Sequence, residues 1–396
     1  MAARRLMCTA ARASPPAWSR PMPPEQFSRM RQTIAAPSPV GFEAAMTIGV
    51  LRPFLEGLPG AETWESRTFA GNAGLVVDTH PGREDLLTVM VCGHADKIRM
   101  QVRHVSDDGK IWIQSDSFLP LTLLGNHVVV FSEDPAHPGA YREVRGSTVE
   151  ALGAIHFAEP AAREGKTGIK KEQLYLETGV HGEDKGAQVR ALGIKAGDPI
   201  ILDRPIEPAV FPGSFAGAYL DNGLGCFAAA EVAALIAGPG AAPLENVRVL
   251  FAFAAFEEIG RFGSRVLAAE LKPDVLLAVD VNHDYKNAPN VGSKRMPPLE
   301  MGGGVSLSTG SVTSPHLNSL LQRAALDHGI PFQLDVRGAD TGELTPAEQQ
   351  RQRHAAPRSA TQRHAASRSA TQRHAAPRSA TQARTSWQEC RYVTDA

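Results

Sequence analysis

Four apolar stretches of this sequence lead into side chains that can bind a metal ion or move a proton. Leu86 to Cys92 (LLTVMVC) runs into His94 and Asp96 in the tetrapeptide GHAD. YLDNGLG carries Asp221, FAFAAFEE ends in Glu257 and Glu258, and VLLAVD ends in Asp280. Taken singly, each has an ordinary reading. A histidine after a strand is usually a loop or capping residue, an aspartate before a helix is usually an N-cap, and adjacent glutamates usually form a solvated turn. Their recurrence beside apolar runs changes that balance. Carboxylates buried together raise one another's pKa and are unfavourable unless cations neutralise them, an objection that metal ions remove. Carboxylates with an imidazole suit zinc, cobalt or manganese, and a shared aspartate can bridge two ions ~3.5 to 4 Å apart. Adjacent glutamates can then divide the labour, one ligating and the other accepting the proton of a bound water.

Strand and helix signals alternate around these residues, as in an α/β domain whose site lies at the strand ends. Leu86 to Cys92, Val247 to Ala254 and Val275 to Val279 are short apolar runs suited to buried parallel strands. Leu224 to Ile236 and Phe262 to Leu271 have helical patterns. Ser314-Pro315 reads as an N-cap and first-turn proline of a helix reaching about His328. Residues 102–208 break the rhythm. Val102 to Ser106 and Lys110 to Gln114 flank an Asp107-Asp108-Gly109 turn as a hairpin, and further β runs follow at Val128 to Phe131, Leu174 to Glu177 and Pro199 to Leu202. Ala161 to Lys171 reads as a loop. The expected organisation is an α/β domain from residues 25–101 and 209–344, with a β-rich domain inserted at 102–208.

Composition narrows the function classes. The 396 residues balance 41 basic against 42 acidic side chains for a formal net charge of −1, which argues against a protein that coats nucleic acid. No run reaches the ~18 to 20 apolar residues of a membrane helix. Cys8, Cys92, Cys226 and Cys390 are far apart, with no CxxC pair, and point to a reducing cytoplasm; Cys92 and Cys226 read as small buried residues and His181 and His283 as loop histidines.

Both ends depart from this composition. Residues 1–24 carry Arg4, Arg5, Arg12, Arg20 and five prolines and read as an unstructured extension, with Met22 a plausible later start. Near the other end RHAAPRSATQ recurs three times from Arg353 to Gln382, once with serine for proline. From Thr345 to Ala396 there is no Leu, Ile, Phe or Met, so this stretch is expected to stay a disordered tail.

Together, Pro37 to Glu43 (PSPVGFE), Gly71-Asn72, His94-Ala95-Asp96, Asp221-Asn222, Glu257-Glu258-Ile259-Gly260, Asp280 and the glycine-rich Met301 to Thr309 resemble a known family. It is the tetrahedral co-catalytic metal aminopeptidases, metallopeptidase family forty-two, which includes glutamyl aminopeptidases and cellulase-described proteins. The resemblance runs from about Phe27 to Gly342. It implies a three-layer phosphorylase/hydrolase-like α/β peptidase domain with an inserted small β-barrel, here between His94 and Asp221 as in that family. It further implies two divalent ions, zinc or cobalt. His94 and Asp280 would hold one, Glu258 the other, and Asp221 both, with Glu257 as general base and Asp96 accepting the ring N–H of His94. Short peptides are then the substrates and a large closed homo-oligomer the assembly, with no membrane or nucleic-acid partner.

The family closes its second metal site with a later histidine. His354, His364 and His374 stand at the right general distance but inside the repeat, so the second site is expected to be incomplete. The alternative reading is therefore a catalytically impaired relative.

Overall fold

The structure, a computed structural model, describes residues 22–69, 74–115, 117–137, 140–241, 244–289, 296–311, 313–337 and 391–392. The extension before Met22, Gly71-Asn72, Asp340 to Gly342 and the repeats with their three histidines lie outside the described residues.

The chain opens with helix α1 (Pro24–Ala35) and a helical run through 44–56 that includes a π turn at Thr47–Leu51. Strands β1 (Glu65–Phe69), β2 (Gly74–Asp78) and β3 (Leu87–His94) follow. The chain then enters a barrel of β4 (Met100–Val105), β5 (Ile111–Ser115), β6 (His127–Glu133), β7 (Ala140–Glu150), β8 (Tyr175–Glu177) and β9 (Pro199–Leu202). It leaves through a hairpin of β10 (Glu207–Pro208) and β11 (Phe215–Ala216). Helix α2 (Leu220–Ala237), β12 (Val247–Ala254), helix α3 (Phe262–Leu271) and β13 (Val275–Ala278) resume the α/β pattern. A last unit comprises β14 (Val305–Gly310), helix α4 (Pro315–Asp327) and β15 (Phe332–Arg337).

The main sheet has the order β1-β2-β12-β3-β13, with β12, β3 and β13 parallel and β1 and β2 antiparallel to their neighbours. Its side chains alternate between two cores, as the period-2 geometry of a strand requires. Val249, Phe251 and Phe253 of β12 pack with Ala229, Ala230 and Ala233 of α2 and with Met46, Leu51 and Leu55. Leu250, Ala252 and Ala254 pack on the opposite face with Leu267 and Ala268 of α3. Helices therefore cover both faces, the three-layer arrangement expected from the sequence. Small alanines on α2 let this helix lie close to the sheet.

The inserted strands close on themselves in the order β7-β6-β9-β4-β5-β8, with β8 returning to β7. Val128 and Val130 point inward with Met100, Ile111, Ile113 and Ile200, whereas Val129, Phe131 and Ile201 point outward to Tyr219 beside α2. The Tyr219 hydroxyl accepts the Leu202 N–H at 2.7 Å, tying the end of the barrel to the start of α2. The hairpin expected around Asp107-Asp108-Gly109 is β4–β5, and Gly109 occupies its turn at φ 84°. β7 carries no apolar run and was not expected. The presumed loop at 161–171 begins within a turn of helix, Pro160–Arg163. At the edge of the barrel sheet, Arg391–Tyr392 pairs parallel with Ala140 and Tyr141.

Helix α4 ends at Asp327, one residue before the expected His328, and its N-cap Ser314 accepts the Leu317 N–H. Strands β14 and β15 pair in parallel as a separate two-stranded sheet, leaving Val305, Leu334 and Val336 exposed.

One buried charge pair locks the antiparallel seam of the main sheet. Arg248 Nε and Nη2 donate to both carboxylate oxygens of Asp78, at 3.0 and 2.5 Å, and both side chains are buried. Asp78→Ala would strand a desolvated guanidinium, so chemical denaturation should show a loss of about 3 to 5 kcal/mol. Removing both partners together, Asp78→Leu with Arg248→Met, should be far milder. Equal losses would show that packing, not the unpaired charge, sets the penalty.

Candidate metal centre

Parallel register brings the chemical groups together. Ala254 pairs with His94 and Ala278 with Cys92, so β12, β3 and β13 end at one edge of the sheet. His94 is the last residue of β3, Glu257 and Glu258 follow β12, and Asp280 follows β13. Asp221 enters from above at the first turn of α2, where the Asp221–Asn222 peptide is cis. Buried Asn222 fixes this turn: its side-chain nitrogen donates to Val279 O at 2.8 Å, and its oxygen accepts from Gly225 N at 3.0 Å. A side chain at Gly225 would come within 2.1 Å of Asn222 Oδ1 and 2.6 Å of Val279 O, so glycine lets the helix dock there.

Three ligand atoms, from His94, Asp221 and Asp280, lie within 4.8 Å of one another. Nδ1 of His94 lies 3.1 Å from the carbonyl oxygen of Asp96, which can only accept, so the neutral ring carries its proton there. Nε2 faces Asp221 Oδ1 at 3.0 Å. In the neutral ring this nitrogen is a lone-pair donor, and with the carboxylate opposite it can hold a cation. Metal bonds of ~2.0 to 2.2 Å set neighbouring ligands ~3 to 4 Å apart, within reach of this group after small movements.

The Asp96 carboxylate does more than the sequence suggested. One of its oxygens is 3.4 Å from His94 Nδ1, farther than its own carbonyl. Its short bonds go elsewhere: Oδ1 accepts the Glu257 N–H and Oδ2 the Glu258 N–H, each at 3.0 Å. Asp96 thereby clamps the turn after β12 to the loop after β3. Glu257 O accepts from Gly260 N and Arg261 N, both at 2.9 Å, and Phe256 adopts φ 59° to begin the turn. Glu257 Oε2 then lies 3.9 Å from His94 Nε2. Glu258 shares the turn but stands outside the convergent trio.

Burial and the closeness of the acids to one another raise two of the carboxyls. Burial, with the Asp221, Asp96 and Glu257 charges adding to it and His94 opposing it, pushes Glu258 up to about 8. Asp280 keeps an open side, yet partial burial and the neighbouring Asp221 carboxylate push it up to about 6. Two further groups escaped the motif reading. Glu43, the last residue of PSPVGFE, is buried near Asp96 and is pushed up to about 7, chiefly by burial. Lys97 is fully buried one residue past Asp96, where its ammonium donates to the carbonyls of Ile34 and Ala36 at the end of α1. An isolated lysine or glutamate gives no periodic signal, so neither role was legible. Both cysteines are buried as expected, and the Cys226 thiol donates to His94 O at 3.0 Å.

A metal needs these carboxyls deprotonated. Metal binding to the apo protein should tighten as pH rises through about 6 and about 8, and should release protons at pH 7. Calorimetry in buffers of different ionisation enthalpy reads both effects; pH-independent binding without proton release would refute them. Without metal the sign for stability is also fixed. The folded state retains protons that the unfolded chain gives up, from 3.8 to about 6 for Asp280 and from 4.5 to about 8 for Glu258. Apo stability from these groups therefore falls with rising pH across those windows.

Known proteins resemble this chain in sequence and in fold. A lysyl aminopeptidase of Pyrococcus furiosus is 26% identical over 262 residues, spanning 64% of this chain and 67% of that one. A TET aminopeptidase from a marine-sediment thaumarchaeote superposes with a TM-score of 0.67 at 21% identity, over 79% of this chain and 81% of its own. The Pyrococcus horikoshii TET1 peptidase, which assembles into a tetrahedron or a large octahedral shell, gives a TM-score of 0.60 at 18% identity, over 81% and 87%. At those identities the two structures establish the fold. The sequence profile of the M42 glutamyl aminopeptidases matches residues 74–360, most of the chain from β2 onward, and the protein belongs to that family.

Proposed function

We propose that this protein is a metal-dependent aminopeptidase that removes the N-terminal residue of short peptides. The observation that carries the reading is the convergence of His94, Asp221 and Asp280, with a Glu257 oxygen 3.9 Å from the same imidazole nitrogen. Bound divalent ions, zinc or cobalt, would polarise the peptide carbonyl and lower the pKa of the attacking water. His94 and Asp280 would hold one ion, Glu258 the other, and Asp221 both. Glu257 takes the proton of the water and returns it to the leaving amine. Asp96 holds the peptide groups of both glutamates in place for these tasks. With that division of roles the reaction needs no serine or cysteine nucleophile.

A specific observation favours the second reading, a relative of reduced activity. Among the described residues the convergent group has a single histidine, and Glu258 stands outside it. On this reading the second ion binds weakly. Related shells suggest the assembly: the P. horikoshii relative builds closed particles, and we propose that this chain also forms a homo-oligomer larger than a dimer.

Glu257→Gln should keep metal content and lower turnover on aminoacyl anilides by ~10²- to 10⁴-fold, the usual share of a general base. Asp221→Ala should lose metal. Full activity with metal retained in both variants would overturn the site assignment. Elemental analysis should find one tight divalent ion per chain and a second that dialysis removes; two tight ions would exclude the impaired reading. Light scattering at micromolar concentration tests the assembly, and a monomer would refute it.

A further inference from the structure

Arg261 follows the Glu257-Glu258-Ile259-Gly260 motif, and its local setting gives no reason for an arginine. It is the N-cap of α3, where side chains that accept hydrogen bonds are preferred and a positive charge meets the positive end of the helix dipole. Its φ of 61° lies in the left-handed region, which favours glycine. The side chain turns back four residues instead, and Nε donates to Glu257 Oε1 at 3.2 Å. The backbone is pinned at the same place: Arg261 N donates to Glu257 O, and Arg261 O accepts the Ser264 hydroxyl at 3.3 Å. Thus one oxygen of Glu257 is held by the guanidinium, while the other lies towards His94 at 3.9 Å.

Charge adds a second argument. Asp96, Asp221, Glu257, Glu258 and Asp280 place five carboxylates around one imidazole. Two divalent ions would offset four of these charges, and the guanidinium of Arg261 offsets the fifth.

We propose that Arg261 is a positioning residue: it orients the Glu257 carboxylate towards the reacting water and supplies the positive charge that allows this fifth acid into the cluster. The inference rests on the aminopeptidase reading for its effect on turnover, but its effect on metal affinity is independent of that reading. A guanidinium near bound divalent ions repels them, so removing its charge should strengthen metal binding. A merely structural loss would weaken it.

The test compares Arg261→Gln and Arg261→Lys with the wild type. Glutamine keeps much of the side-chain length and removes the charge, and neither substitution relieves the left-handed backbone. For Arg261→Gln, kcat on aminoacyl anilides should fall ~10- to 100-fold, the range for groups that orient a metal site, with KM and melting temperature unchanged. Calorimetric titration of its apo form with Co²⁺ should show binding tightened about threefold or more. Arg261→Lys should keep wild-type Co²⁺ affinity and recover part of kcat. A rise in KM at constant kcat would make Arg261 a substrate contact and overturn the proposal, as would Co²⁺ affinity that falls or stays unchanged in Arg261→Gln. If wild type hydrolyses no peptide, the aminopeptidase reading fails, and the Co²⁺ titrations alone decide the case for Arg261.

Discussion

Mutual repulsion among carboxylates gathered at the ends of three parallel strands is the constraint around which this site is arranged. The backbone at each acid is held by contacts that the acid itself does not make. Asp221 is set by the Asn222 turn, Asp280 by the end of β13, and the glutamates by hydrogen bonds from their backbone N–H groups to the Asp96 carboxylate. Like charges held this close together favour a cation among them. The raised Glu258 and Asp280 carboxyls reflect burial first, with that same repulsion adding to it.

Much of this was legible from the chain. β3, β12 and β13 announce themselves as apolar runs, and parallel strands end at one edge, so side chains following those runs had to meet. Periodicity could not show which group holds which. Asp96 binds two amides 161 and 162 residues away, a relation created by the neighbouring positions of β3 and β12. Lys97 was silent for the same reason, since its partners are carbonyls at the end of a helix. β7 went unseen because AYREVRGSTVE is largely polar and only two of its eleven residues are buried. A strand stabilised by pairing rather than by burial carries no hydrophobic signature.

The barrel is an insertion, yet it is coupled to the site. Its outer face at Val129, Phe131 and Ile201 packs on Tyr219, and the Tyr219 hydroxyl binds the end of β9. Asp221 follows two residues later. On the other side, Lys97 ties the β3–β4 connection to α1, so the polypeptide entering the barrel and the polypeptide leaving it are both anchored within a few residues of a proposed ligand. Contacts made by the outside of the barrel therefore have a short covalent route to the centre.

The separate β14–β15 sheet divides the centre into unequal halves. His94 ends β3, and Asp96 and the glutamates follow directly after strands of the main sheet. The loop after Asp280 instead leans on the small sheet through Asn282, whose side chain donates to Asp335 at 3.0 Å and to Ser306 at 3.2 Å. Among the described residues that small sheet has two strands and leaves Leu334 and Val336 exposed, whereas β3 and β12 are largely buried. His94, Asp96 and the glutamates are thus braced within the main sheet, whereas the segment after Asp280 is braced by a smaller one.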